Sequence, residues 1–179
     1  MGPARPEGPV VVRDAVPDDV GRLVDLVRQL ARYERSEEAA QATEEDFRRA
    51  LFGPGPEVFA LVAERDGEVV AMAVYFVSFS TWTGRHGLYL EDLFVVPEHR
   101  SRGVGQALLC TLAARAVERG CARLEWAVLD WNRPAIDFYH SLGAVANDEW
   151  TTFRLSGAAL AELGRKGPAQ SRAGGAWAP

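Results

Sequence analysis

Apolar residues recur at helical spacing in one early stretch of the chain and at strand spacing in several later ones. Val20, Leu23, Val24, Val27, Leu30 and Ala31 follow a 3.6-residue period. They predict a helix that Pro17-Asp18-Asp19 opens, with its acids where the helix dipole favours negative charge, and that ends near Tyr33. Before it, Val10-Val11-Val12 reads as a short strand. Thr43-Glu44-Glu45-Asp46 has the form of a capping box for a second, short helix through Leu51, which Gly53-Pro54-Gly55-Pro56 stops. Phe59 to Glu64 and Val69 to Ser80 are rich in β-branched and aromatic residues and flank Asp66-Gly67, a signal for a tight hairpin. Leu88 to Val96 is apolar at nearly every position, as a central strand covered on both faces should be, and is interrupted only by Glu91 and Asp92. Gly103-Val104-Gly105 leads into a long helix with Ala107, Leu108, Thr111, Leu112 and Arg115 on one side and Gly120 at its end. A strand at Leu124 to Val128 follows, then a helix capped by Asn132 that runs through Leu142 to Gly143. Trp150 to Leu155 is expected to be the last strand. This order, β-α-α-β-β-β-α-β-α-β, predicts an α/β fold with a mixed sheet and helices on its faces.

At 179 residues, 47% of them hydrophobic and 25% charged, the chain suits one compact domain, expected over residues 10–163. A Pro/Gly-rich leader over 1–9 and a tail over 164–179, rich in Gly, Ala, Arg, Ser and Pro, are expected to be flexible and disordered. The longest apolar run, Val69 to Val77, is about half of the roughly 20 residues a membrane helix needs. The leader carries an acid and no apolar stretch, unlike a signal peptide, so a cytoplasmic location is the default expectation. The balance of 20 basic and 25 acidic residues leaves a net charge of −5, which disfavours nucleic acid as a partner and suits a cation. Cys110 and Cys121 form no C-x-x-C pair and read as small buried hydrophobes in a reducing compartment. His86, His99 and His140 have no ligand spacing, and no metal site is expected.

The segment Glu98-His99-Arg100-Ser101-Arg102-Gly103-Val104-Gly105-Gln106-Ala107 lies between a strand and a helix. Its glycines let backbone approach a ligand, and the first helical turn offers free N–H groups at the positive end of the dipole. Arg100 and Arg102 add cations suited to pyrophosphate oxygens. A Walker A loop would need G-K-[ST], and a G-x-G-x-x-G fingerprint would need a small residue where Leu108 stands.

Arg100, Gly103 and Gly105, as R-x-x-G-x-G after a Val-Pro turn, resemble the acetyl-coenzyme A signature of the GCN5-related N-acetyltransferase (GNAT) superfamily. Asn132, Ala135, Phe138, Tyr139 and Gly143 are similar to that superfamily's N-x-x-A-x-x-[FL]-Y-x-x-x-G-F block, with Ala144 in place of the final aromatic. The resemblance covers roughly residues 10 to 160 and implies a mixed, mostly antiparallel central sheet with helices on both faces, acetyl-CoA as co-substrate, and a homodimer, in which Phe79 or Trp82 could take part. Leu30-Ala31-Arg32-Tyr33-Glu34, Tyr89 to Val95 and Trp131-Asn132 are further similar to the diamine acetyltransferases of the spermidine/spermine type and their thialysine-acetylating relatives. That likeness implies Leu93, Phe94 and Val95 beside the acetyl-pantetheine arm. It implies Ser101, Arg102, Gly103, Val104, Gly105 and Gln106 on the pyrophosphate, and Asn132, Arg133, Pro134 and Ala135 along the coenzyme. Tyr33, Glu34, Glu91, Glu125, Trp126, Ala127 and Glu149 would face the amine, although the segment after Gly143 is shorter than in the family.

Glu91 and Asp92 are neighbours on a strand, so they are expected on opposite faces, Asp92 as a structural acid and Glu91 as the base. Acetyl transfer from a thioester needs a neutral amine, and a carboxylate with a raised pKa can remove the ammonium proton directly or through water. Tyr139, a phenol, is the candidate acid for the departing thiolate. The carbonyl oxygen would be held by a strand N–H, that of Phe94, at a local break in pairing. The expected mechanism is direct attack in a ternary complex, with a polyamine or diamine as acceptor. The alternatives are a thialysine- or lysine-like amino acid, an aminoglycoside, a protein lysine, or a coenzyme-binding regulatory module without catalysis.

Overall fold

A computed structural model describes residues 8–167, which form two compact units, 8–129 and 130–167. The first unit runs β1 (Val11–Asp14), α1 (Val20–Tyr33), α2 (Glu44–Phe52), β2 (Val58–Arg65), β3 (Glu68–Ser80), β4 (Arg85–Val95), α3 (Val104–Glu118) and β5 (Leu124–Trp126). Its strands form one sheet in the order β1-β2-β3-β4-β5. All neighbours are antiparallel except β4 and β5, the parallel pair that α3 joins. The mixed, mostly antiparallel sheet is therefore as expected. Asp66 and Gly67 both take positive φ, 53° and 82°, the geometry of a two-residue turn whose twist matches the flanking strands.

Helices cover both faces of this sheet. Leu108 and Leu112 of α3, and Val20, Leu23 and Leu26 of α1, are fully buried together with Leu61, Met72, Leu88 and Leu90 of the strands. Tyr75 of β3 belongs to the α3 face, where its hydroxyl accepts a hydrogen bond from Arg115 Nη1 at 2.7 Å. Arg115 also forms two bonds to the Asp14 carboxylate, at 2.6 and 2.8 Å, tying α3 to the edge strand. Met72, three residues from Tyr75, faces the other way and pairs with Phe94 on the α1 side.

In the second unit α4 (Arg133–Ser141) ends at Gly143, whose φ of 86° is the left-handed turn that glycine adopts without strain. Asn132 precedes α4 without a side-chain capping bond. The strand expected at Trp150–Leu155 is not formed. The segment has strand-type residues, but a strand exists only where a neighbour takes up its backbone groups, and Phe153 is 92% exposed. A helix not foreseen, α5 (Gly157–Arg165), follows instead, built from Ala158, Ala159, Leu160, Ala161 and Leu163 and carrying a Glu162–Lys166 pair at 2.9 Å. It crosses the boundary expected at residue 164. Most of the expected leader and the tail beyond Gly167 lie outside the described residues. Cys110 is exposed and Cys121 half-buried, so neither is the buried hydrophobe expected. No described helix is long and apolar enough to cross a membrane.

Candidate active site

The sheet is irregular at the two carboxylates. Val74 faces Asp92 while the next residue, Tyr75, faces Leu90, so Glu91 is an extra residue on β4 and forms a bulge. On the other side of β4, β5 pairs only with Leu88, Tyr89 and Leu90. Past the bulge, that edge of β4 has no strand beside it among the described residues. The Val96 N–H donates to the Val70 carbonyl at 3.0 Å, so by antiparallel alternation Phe94 and Asp92 also direct their backbone groups toward β3. Leu93 and Val95 direct theirs to the open edge. The break in pairing is thus at Glu91, and the amide it leaves facing outward nearest the carboxylates is that of Leu93, where Phe94 was expected.

The extra residue also moves Asp92 onto the face of Tyr89, so the strict alternation expected for Glu91 and Asp92 does not hold across the bulge. Asp92 is half-buried, and its carboxyl is pushed up from the ordinary 3.8 to about 6, mainly by burial and further by the charges of Glu91 and Glu34. Glu34, the residue after α1, is itself raised by burial. Glu91 is exposed. Three carboxylates from the end of α1 and the bulge of β4 therefore share one neighbourhood, and the larger of the two upward shifts falls on Asp92, the acid expected to be structural, and the smaller on Glu34.

The loop after β4 has the geometry of an anion cradle. Ser101 and Gly103 take positive φ, 57° and 78°, and α3 starts at Val104. The first bond of α3 runs from the Ala107 N–H to the Gly103 carbonyl at 2.9 Å, so the amides of Val104, Gly105 and Gln106 precede the helical ladder at the positive end of the dipole. A Cβ at Gly103 would meet nothing within 4 Å, so the space beside this residue is open. Ser101, Arg102 and Gln106 are exposed at its mouth. Behind it lies Arg65, buried at 7% exposure, whose Nη2 donates to the Arg102 carbonyl at 3.4 Å. Nothing in the sequence pattern marked Arg65.

Residues 22–144 match the family model described as the acetyltransferase (GNAT) family. The chain belongs to this family. It is similar to the thialysine N-epsilon-acetyltransferase of Bos taurus, 40% identical over 168 residues that cover 88% of this chain and 98% of that protein. It is also similar to the spermidine/spermine N(1)-acetyltransferase-like protein 1 of Homo sapiens, 29% identical over 85% of this chain and 23% of that longer protein. Among solved structures, an integron cassette protein from the mobile metagenome of V. cholerae superposes with a TM-score of 0.74 at 29% identity, covering 87% of this chain and 98% of its own. The chain is therefore an acyl-CoA-dependent N-acetyltransferase acting on amines, with acetyl-CoA as the co-substrate its family uses.

The remaining expected residues of this GNAT enzyme fall into three groups. Tyr33, Phe94 and Arg100 are together: the Arg100 guanidinium lies 4.7 Å from the Tyr33 ring centre and 5.4 Å from that of Phe94, and its Nε donates to the Val95 carbonyl at 2.9 Å. On β5, Glu125 is engaged by Arg123 at 2.7 Å, Trp126 is half-buried, and Ala127 is exposed just past the strand. In the second unit, Asn132 precedes α4, Arg133, Pro134 and Ala135 form its first turn, and Arg133 lies 4.0 Å from Asp137. Tyr139 is half-buried in α4 with its ring 5.5 Å from that of Phe138, and Glu149 is exposed in the irregular segment. No group of three or more potential metal ligands occurs among the described residues.

Proposed function

We propose that this enzyme moves the acetyl group of acetyl-CoA to the terminal primary amine of a thialysine- or lysine-like amino acid, by direct attack within a ternary complex. The observation that carries amine chemistry is the Asp92 carboxyl, held near pKa 6 at the bulge beside Glu91 and Glu34. The acceptor class rests on the likeness to thialysine acetyltransferases over nearly the whole length of both chains. Glu91, exposed at the bulge, draws in the cation, and Asp92 takes its proton, the raised pKa narrowing the gap to an ammonium. The amine nitrogen then attacks the thioester carbon, the C–N bond forms and the C–S bond breaks. The outward Leu93 N–H is the donor suited to the carbonyl oxygen as it gains charge. The likeness to the GNAT family's N-x-x-A-x-x-[FL]-Y block supports Tyr139 as donor of the proton that ends on the thiol. The second proton that the nitrogen sheds as the amide forms restores the donor, so one proton, the one Asp92 took, is released to solvent overall. The amides of Val104 to Gln106, with Ser101 and Arg102, hold the pyrophosphate.

A polyamine acceptor is the second reading. Glu34, Glu91 and Asp92 form a cluster of acids suited to a cation with more than one amine, and the human relative named above supports it. A thiol-release assay with acetyl-CoA against thialysine, lysine, ornithine, putrescine, spermidine and spermine separates the two. Preference for thialysine, with Asp92→Asn and Tyr139→Phe each slower by about a hundredfold or more, is the expected result. Selective turnover of spermidine or spermine would transfer the assignment to polyamines. Tight acetyl-CoA binding with no turnover on any amine would refute both.

A further inference from the structure

We propose that Arg100 is a positioning residue for the amine side of the site, and not a grip on the coenzyme pyrophosphate as its place in R-x-x-G-x-G suggests. The proposal rests on the assignment of Tyr33 and Glu34 to the amine side. Three contacts carry it. The Nε of Arg100 donates to the Val95 carbonyl at 2.9 Å, which anchors the side chain to the open edge of β4. Its guanidinium lies against the Tyr33 ring at 4.7 Å and the Phe94 ring at 5.4 Å. Both aromatic contacts draw on the delocalised cation, and a lysine ammonium cannot make them together with the planar Nε–H bond. The exposed Arg102 beside Gly103 is the cation at the mouth of the cradle.

The consequence lies one residue along the chain. Tyr33 is the last residue of α1, and Glu34 follows it with its N–H bonded to the Leu30 carbonyl at 2.9 Å. Arg35 then turns into the left-handed region at φ 57°, and the Ser36 N–H returns to the Ala31 carbonyl at 2.8 Å. A helix end frays unless something holds it. Here Arg100 fastens it to the strand that carries Asp92, and so sets where the Glu34 carboxylate stands relative to Asp92, on which its charge acts. The motif arginine thus links the segment that cradles the coenzyme to the acid that receives the amine.

Kinetics with the amine and acetyl-CoA varied separately, together with hydrogen exchange over residues 30–36, test this in the full chain. In Arg100→Gln the amine KM is expected to rise about tenfold, and Arg100→Lys should not restore it, while the acetyl-CoA Kd measured without amine stays within about twofold. Arg102→Ala should do the reverse. Combining Arg100→Gln with Tyr33→Leu should add little to either alone. An acetyl-CoA Kd weakened about tenfold in Arg100→Gln and recovered in Arg100→Lys, with the amine KM unchanged, would overturn the proposal. If the wild-type chain acetylates no amine in the panel, the functional reading fails, and hydrogen exchange still decides the positioning role. Faster exchange at residues 31–36 in Arg100→Gln supports that role; unchanged exchange refutes it.

Discussion

Asp92→Asn should make this enzyme more stable and slower at the same time, and the stability gain should depend on pH in a defined direction. The Asp92 carboxyl is raised from 3.8 to about 6 in the folded chain, so between those values the folded state holds a proton that the unfolded state has released. Stability contributed by this group therefore falls as pH rises through that window and is at its lowest above it. A shift of that size corresponds to about 3 kcal/mol at pH 7.5 and about 1 kcal/mol at pH 4.5, since only part of the window has then been crossed. Asparagine keeps the shape and removes the titration. The buried amide must find its own partners, so the net gain at pH 7.5 is expected at about 1–3 kcal/mol, shrinking toward zero or reversing near pH 4.5. For a chain of this length each kcal/mol is about 2–4 °C in Tm, well within the reach of calorimetry or urea unfolding followed by circular dichroism. A loss of stability at pH 7.5, or a difference that is the same at both pH values, would refute the reasoning that Asp92 is held in an unfavourable charged state.

The same group should appear in the kinetics: kcat/KM for the amine should rise with pH through a limb near 6 that disappears in Asp92→Asn and moves to lower pH in Glu34→Gln, because one charge that raises Asp92 is gone. A limb that Glu34→Gln leaves in place would count against the cluster. Gly103→Ala places a side chain at φ 78° in open space, so it should cost about 1 kcal/mol in stability yet raise the acetyl-CoA KM about tenfold or more by blocking the cradle, read from thermal unfolding and initial rates. Tyr75→Phe removes one of the acceptors of Arg115, on a residue only 1% exposed, and should cost about 1 kcal/mol by urea unfolding without altering KM for either substrate in initial-rate assays. Arg13→Met strips the cationic partner from Asp19, which Arg13 holds below the usual carboxylate range, and leaves it the Val16 N–H at 2.7 Å; the loss should be about 2 kcal/mol at pH 7 and fade as pH falls through the folded-state pKa of Asp19, checked by unfolding at several pH values.

Much of the fold was legible because its signals are local. The capping box at Thr43 forms as read, with the Asp46 N–H donating to Thr43 Oγ1 at 3.2 Å, and Gly120 and Gly143 end their helices at positive φ. The hairpin at Asp66-Gly67 and the glycine turn into α3 follow from backbone conformations that few residues tolerate. The last strand failed for the opposite reason. Trp150–Leu155 has the composition of a strand, but pairing depends on a neighbour elsewhere in the chain, which composition does not report.

The candidate site divides in the same way. The cradle residues, the glycines at 103 and 105 and the presence of two acids in an apolar strand follow from the order of residues alone, since each acts through its own backbone or its near neighbours. Which acid is raised furthest does not. A single extra residue in β4 decides the face of Asp92, and Glu34, more than fifty positions earlier, reaches it only through the packing of α1 on the sheet. Arg100 likewise belongs by motif to the coenzyme and by contact to Tyr33 and Phe94. Backbone conformation is set within a few residues, whereas register, desolvation and the Coulomb field at a carboxyl are sums over groups brought together by folding, and those sums have no one-dimensional signature.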